Sequence, residues 1–264
     1  MKVRRVGIVA HPSPEVSAGA RERLVRELER RGVEVVQGNP AGGAHSELIF
    51  VLGGDGTMLR ASRMYPESVL LGVNLGKVGF MSGMRPDEME EGVRRAVEGE
   101  LYVQEYRKLE VRTGATEPRH AVNDALLVKE RPHRLISVGV RVSGDDIGSY
   151  MCDGFVAATA LGSTAYALSA GGPIVSRNAE CYVLVAIAPH TLLSRPLVLG
   201  KDDVAELTVL ENKNALLSLD GEEPQRITPG ESVRVRLSQE KLRIARIDGW
   251  SWWEAVRRTF LGAG

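Results

Sequence analysis

Three things are scarce in this sequence. There are only two cysteines in 264 residues, Cys152 and Cys181, and no C-x-x-C pair. That excludes a disulfide framework and a cysteine-based zinc cluster, and each thiol reads as a small buried hydrophobe. Net charge is absent too, with 34 Lys+Arg against 34 Asp+Glu. No global field draws the chain to nucleic acid. Long apolar runs are also missing. The opening MKVRRVGIVA places basic residues before an apolar stretch, but His11, Pro12, Pro14 and Glu15 end it too early for a leader or a membrane span. His11, His45, His120 and His133 have no metal-ligand spacing. The expectation is a cytoplasmic protein with neither a membrane nor a nucleic-acid partner.

What the sequence has in excess is glycine, 29 residues without a G-x-y period. The lack of period excludes collagen, and 43% hydrophobic residues exclude a disordered chain. At about 150 residues per domain the length makes one large or two modest domains. The glycines are clumped, seven in 53–83 and seven in 139–172. Glycine serves where the backbone needs φ > 0 or must approach something closely, so these clumps are where function is sought.

Along the first hundred residues the pattern alternates between strands and helices. Val6–Ala10, Val33–Val36, Glu47–Leu52 and Val69–Val73 read as strands, the apolar ones typical of a buried parallel sheet. His11–Ala18 reads as a Pro/Ser turn, 19–31 as a helix ended by Gly32, and Met58–Met64 as a second helix. A third helix is predicted over 86–98, with Pro86 at its first turn and Met89, Val93 and Val97 facing inward. This is an α/β N-terminal domain with an open parallel sheet and helices on both faces, residues 1–100. From 101 to 248 the texture is β-rich. Strands are predicted at 101–112, 121–128, 135–142, 155–160, 181–188, 204–210, 215–219, 233–237 and 242–247, with SGDD, NKN, DGEE and TPGE as turns. Only 164–171 invites a helix. The tail, 249–264, carries Trp250, Trp252 and Trp253 and reads as a helix packing back on the first domain.

The strand ELIFVL delivers GGDGT (53–57) at its carboxyl end, where open α/β sheets bind ligands. Gly53, Gly54 and Gly56 expose backbone N–H groups, and the helix that follows adds positive potential suited to phosphate. Thr57 caps that helix or donates to phosphate. Asp55 is the odd member, because a carboxylate beside phosphates is costly unless it accepts a proton or holds a metal. The other reading of this segment is an Asx turn capped by Asp55. Neither G-x-x-x-x-G-K-[ST] nor a first-strand G-x-G-x-x-G is present. The second cluster holds Asp153-Gly154 and then Ser163, Thr164, Ala165, Tyr166 and Ser169. It offers four hydroxyls in seven residues among small neighbours, or else is a tightly packed Gly/Ala turn. Between the clusters lies Asn123-Asp124, a donor–acceptor pair suited to a base edge and a ribose.

Taken together, LGGDGTMLRA (52–61), GVNLGKVGF (72–80), AVND (121–124), CDGFVAATALGSTAYALSAGGPIV (152–175) and APHTLLSRPLVL (188–199) resemble the NAD kinase family over most of the chain. GGDGT alone is shared with diacylglycerol, sphingosine and phosphofructo-type kinases; followed by GSTAYxLSAGGP it is highly specific. The resemblance implies NAD in a cleft between the two domains and a tail returning to the first. It makes Asp55 the base toward the adenosine ribose 2′-hydroxyl. It also implies a phosphate-donor loop at Gly53, Gly54, Gly56 and Thr57, and dinucleotide contacts at Asn123, Asp124, Asp153, Ser163, Thr164, Ala165, Tyr166 and Ser169. Basic positions at Arg60 and, more weakly, Arg134 would meet phosphate.

The implied substrates are NAD and ATP or polyphosphate, with Mg²⁺ as cofactor and no protein metal ligands named. The implied assembly is a homodimer or homotetramer whose neighbouring subunits complete the site. Three positions depart from the family pattern: Asp124 replaces Glu, Thr159-Ala160-Leu161 replaces Thr-Pro-Thr, and Glu222 replaces Gln and is expected to face ribose or solvent. The rival readings are a lipid or sugar kinase sharing GGDGT and a non-catalytic NAD(P)-binding regulator. The first has no need of Asn123-Asp124, and the second gains nothing from Asp55.

Overall fold

A computed structural model describes residues 3–36, 46, 48–76, 79–191, 194–210, 213–247, 251–260 and 262. Of the positions named above, His45, Glu47, Lys77, Val78, Leu192, Leu193, Gly249 and Trp250 lie outside them. The chain divides into two compact units, one of Met1–Glu105 with Leu242–Gly264 and one of Tyr106–Lys241.

In the first unit, β1 (Arg5–Ala10), β2 (Glu34–Val36), β3 (Leu48–Leu52) and β4 (Val69–Val73) form a parallel sheet ordered β2-β1-β3-β4. The end of β16 (Ser232–Arg246) adds a further parallel strand, pairing Arg243 with Val69 and Ile244 with Leu70. All five residues of β3 are buried, as a central strand covered on both faces requires. Leu48, Phe50 and Leu52 point with Leu71 and Val73 toward Leu24 and Leu28 of α1 (Pro14–Arg30) and Met89 and Val93 of α3 (Met89–Glu98). Strand alternation sends Gly72 to the opposite face, where Met58 of α2 (Asp55–Met64) closes on it.

Three helix starts differ from the sequence reading. α1 begins at Pro14, inside the expected turn, because proline is favoured in a first helical turn and Ser17 secures it by donating to the carbonyls of Ser13 and His11. α2 begins at Asp55 rather than Met58. Residues 86–88 form a 3-10 turn, so α3 starts only at Met89, and it ends at Gly99 with φ of 80°. The tail helix α5 (Trp252–Phe260) belongs to this unit, with Trp252 buried and the ring of Phe260 stacked on Phe80 at 5.6 Å. No helix among the described residues is long and apolar enough to cross a membrane.

The second unit packs two antiparallel layers. One is six-stranded: β12 (Leu197–Gly200), β11 (Cys181–Ile187), β10 (Gly154–Thr159), β7 (Asp124–Lys129), β14 (Ala215–Leu219) and β15 (Gln225–Ile227). The other joins the start of β16 to β13 (Ala205–Val209), β8 (Ile136–Val142) and β9 (Asp145–Cys152); β5 (Tyr102–Thr113) pairs with β16 and β6 (Arg119–Ala121). Leu127, Phe155, Leu184 and Leu217 of the first layer meet Val138, Val140, Leu207 and Val235 of the second in one core. β9, β12 and β15 are strands that the sequence reading did not mark, the expected strand 121–128 is divided between the end of β6 and β7, and 233–237 and 242–247 are parts of the single strand β16. On the outer face of the six-stranded sheet, Ala167 packs on Val156, Ala158, Val183 and Val185, fixing the second glycine cluster there.

Candidate functional site

The residues expected at the site fall in three places: one in the first unit and two at opposite ends of the six-stranded sheet. In the first unit, β3 runs into Gly53 and Gly54, and Gly54 caps α2 with no side-chain bond. Asp55 is thus the first residue of the helix, close to N–H groups that have no intrahelical acceptor. Its carboxylate bridges to the segment after β4. Oδ2 accepts from the N–H of Phe80 at 2.9 Å and Oδ1 from that of Met81 at 3.0 Å. Gly79 makes this approach feasible, since a Cβ there would stand 2.5 Å from Asp55 Oδ1.

Thr57 is buried and lies against Gly53, so among the described residues it neither caps the helix nor reaches the surface. Gly54 and Gly56, in contrast, border open space. The chain itself does not demand their bareness, whereas a phosphate lying close would. Arg60 donates to the carbonyl of Ala10, at the end of β1, and its Nε is buried with no partner among the described residues.

At one end of the six-stranded sheet, the start of β7, the end of β10 and the end of β14 converge, because Asp124 pairs with Ala158 and Ala125 with Leu219. Asp220, at φ of 50°, gathers the preceding loop: its carboxylate accepts from the N–H groups of Val122 (2.7 Å), Asn123 (2.7 Å) and Asp124 (3.1 Å). The Asn123 carbonyl accepts from the Thr159 N–H at 2.9 Å, leaving its side-chain amide without a partner among the described residues. Gly162 packs directly on this backbone, where a Cβ would lie 2.5 Å from the Asn123 carbonyl carbon. Burial, with the charge of Asp220 added, pushes the Asp124 carboxyl up to about 7.

The hydroxyl cluster divides into inward and outward members. Ser163 is fully buried and its hydroxyl is consumed: it donates to Ala160 O at 2.7 Å and accepts from Val175 N–H at 3.1 Å. Thr164, half-buried, donates to Leu161 O. The helix expected from Thr164 is broken at Ala165 (φ −94°, ψ −132°), which separates a 3-10 turn at Gly162–Thr164 from the single turn α4 (Tyr166–Ser169). Tyr166 and Ser169 are both exposed on that turn.

The structure does not bring Asp153 to these residues. It sits at the other end of β10, about five residues or roughly 17 Å of strand from Asp124. There it pairs with Lys129. Lys129, Arg131, Arg134, Lys213 and Asn214 line a hollow of about 120 Å³ at this end. Glu222, expected to face ribose or solvent, keeps a third of its side chain exposed and pairs there with Arg119 at 3.1 Å.

Four participants escaped the sequence reading. Asp220 stood in a recognised turn and Lys129 at the end of a recognised strand, but nothing local announced their partners. The same holds for the backbone of Phe80–Met81 and for Arg246, a fully buried arginine near the end of β16. Arg246 Nη1 donates to the carbonyls of Met81 (2.8 Å) and Ser82 (2.7 Å), and Nη2 to that of Phe80 (3.2 Å).

Residues 43–101 match the sequence model of the ATP-NAD kinase N-terminal domain, and 122–247 that of the ATP-NAD kinase C-terminal domain. A NAD kinase of Methanopyrus kandleri is 32% identical, over 97% of both chains. A NAD kinase of Gemmatimonas aurantiaca is 36% identical over 89% of this chain and 83% of its own. Among solved structures, a NAD kinase from Archaeoglobus fulgidus in complex with ATP superposes with a TM-score of 0.80, at 28% identity and 97% coverage of each chain. Yeast NADH kinase complexed with NADH has a similar fold: TM-score 0.90 at 22% identity, covering 99% of this chain and 88% of that one.

Proposed function

Since this chain belongs to the NAD kinase family and is a phosphotransferase, we propose that it transfers the terminal phosphoryl group of ATP, or of polyphosphate, to the 2′-hydroxyl of the adenosine ribose of NAD. The observation that carries the assignment of the base is the Asp55 carboxylate, held in one plane by two backbone N–H groups. Each of its oxygens keeps a second lone pair for a substrate hydroxyl. The ribose 2′-oxygen forms its bond to the terminal phosphorus as the bridging P–O bond breaks. The hydroxyl proton passes to Asp55, and the shortened donor departs. The N–H groups of Gly54, Gly56 and the first turn of α2 offset charge developing on the phosphates.

Asn123 and Asp124 take the adenosine, with Tyr166 and Ser169 presenting a ring and a hydroxyl beside them. Ser163, Thr164 and Thr57 support these surfaces from behind. Among the described residues no three of His, Cys, Asp and Glu stand together as a metal cage. Mg²⁺ enters as part of the magnesium–nucleotide substrate, held by phosphate oxygens and water.

Asp153 and Arg134, remote from Asn123 on the same sheet, are assigned to the dinucleotide of a neighbouring subunit in a homodimer or homotetramer. Two inactive variants, Asp55→Asn and Asp153→Asn, should then recover NADP formation when their subunits are mixed and allowed to exchange. A mixture with no more activity than its parts would remove that assignment.

The central test incubates the protein with NAD, Mg²⁺ and either ATP or polyphosphate and assays NADP. Asp55→Asn should abolish most turnover while holding NAD affinity within about an order of magnitude. Near-normal turnover of that variant would sink the role of Asp55 as base.

A further inference from the structure

We infer that Arg246 is a positioning residue for phosphoryl transfer, acting through the backbone of residues 80–82 to fix the orientation of Asp55. The inference rests on Asp55 being the base.

One peptide group carries the geometry. The bond between Phe80 and Met81 turns its carbonyl toward Arg246 Nη2 at 3.2 Å and its N–H toward Asp55 Oδ1 at 3.0 Å. A cation and an anion thus stand at the two ends of a single peptide dipole, and each polarises the group for the other. The flanking groups repeat the arrangement. The Phe80 N–H donates to Asp55 Oδ2 at 2.9 Å, while the carbonyls of Met81 and Ser82 both accept from Arg246 Nη1. The planar fork of arginine can hold several carbonyls in fixed directions; lysine, a point charge on a flexible stem, cannot.

Two further contacts restrict the same segment. Phe80 stacks on Phe260 of α5 with the rings 10° from parallel, and Gly79 lies so close to Asp55 that no side chain fits between them. Burying a guanidinium is costly unless its donors are satisfied. Arg246 is wholly inaccessible, and three of its hydrogen bonds go to consecutive residues of the one segment that grips Asp55. Aligned transfer tolerates little displacement, and an error of about 1 Å can cost ~100-fold in rate. If 80–82 drifts, Asp55 loses both of its N–H groups together and its carboxylate is free to turn.

Arg246→Lys and Phe260→Ala test this in the full chain, with thermal midpoints and NAD affinity measured alongside. Arg246→Lys should lower kcat about 10- to 100-fold with the KM for NAD within about threefold. Phe260→Ala should act in the same direction but more weakly, and it keeps the test open should the buried substitution fail to fold. Amide exchange at Phe80 and Met81 should accelerate in both variants. Combined with Asp55→Asn, Arg246→Lys should reduce the residual turnover no further, because the group it positions has gone.

A wild-type kcat for folded Arg246→Lys, an equal loss with or without Asp55, or unchanged exchange at Phe80 and Met81 would overturn the inference and leave Asp55 standing as base. Near-normal turnover of Asp55→Asn alone is a different failure, removing the base assignment itself.

Discussion

Asp220 holds the backbone N–H of Asp124 at 3.1 Å while its charge opposes ionisation of the Asp124 side chain. The two carboxylates thereby divide their roles. Asp220 accepts three N–H groups and organises the loop, whereas Asp124, buried at the start of β7, is pushed up to about 7.

The sign of the resulting pH dependence follows from where the proton sits. Asp124 keeps its proton to about 7 when folded and loses it near 3.8 when unfolded. Between those values the folded state binds more protons, so this group's contribution to stability falls as pH rises. The slope is at most about 1.4 kcal/mol per pH unit. Asp124→Asn mimics the protonated acid and should flatten this decline. Urea midpoints from pH 4 to 8 should show wild type losing ground to the variant across that window; parallel curves would contradict the shift.

Gly79→Ala places a methyl group against Asp55 Oδ1. The carboxylate must move, so kcat should fall at least about tenfold. NAD affinity, measured by equilibrium titration, should change little. A variant with wild-type kcat would mean that the contact with Asp55 relaxes freely.

Gly162→Ala acts at the opposite functional element. Its Cβ would meet the backbone of Asn123 at 2.5 Å from the carbonyl carbon, and backbone cannot swing aside as a side-chain tip does. A stability loss of about 1–3 kcal/mol is expected, with a raised KM for NAD. Denaturation and steady-state kinetics on one preparation check both.

Ser163 and Tyr166 should separate cleanly. Ser163→Ala removes a buried hydroxyl and strands the Val175 N–H, costing about 1–3 kcal/mol of stability. NAD affinity should remain near wild type at temperatures where the variant is folded. Tyr166→Ala, at an exposed position, should do the reverse. Equal effects on affinity would place Ser163 on the ligand surface after all.

Local patterns made the first hundred residues legible. Buried runs such as Leu48–Leu52, helix punctuation at Gly32 and the GGDGT turn are properties of neighbouring residues, and the α/β order follows from them. Errors arose where local signals were mute. β9, Asp145–Cys152, is exposed over most of its length and shows no alternation of apolar and polar residues to read. β16 runs through the polar stretch 238–241, which looks like a turn between two strands; hydrogen bonding to different neighbours along its length keeps it extended.

By itself, the sequence determined the two glycine clusters, the α/β and β-rich halves and the acid at the strand end, because spacing and residue type suffice for each. Tertiary structure alone decided which groups hold those residues in place. Arg246 meets Phe80 across 166 positions of sequence, and Asp220 meets Val122 across 98. No periodicity links residues so far apart, and only the folded backbone gives a buried arginine its carbonyls or a turn aspartate its three N–H groups. Register decided the rest: five residues of antiparallel pairing along β7 and β10 put Asn123 and Asp153 at opposite ends of one sheet.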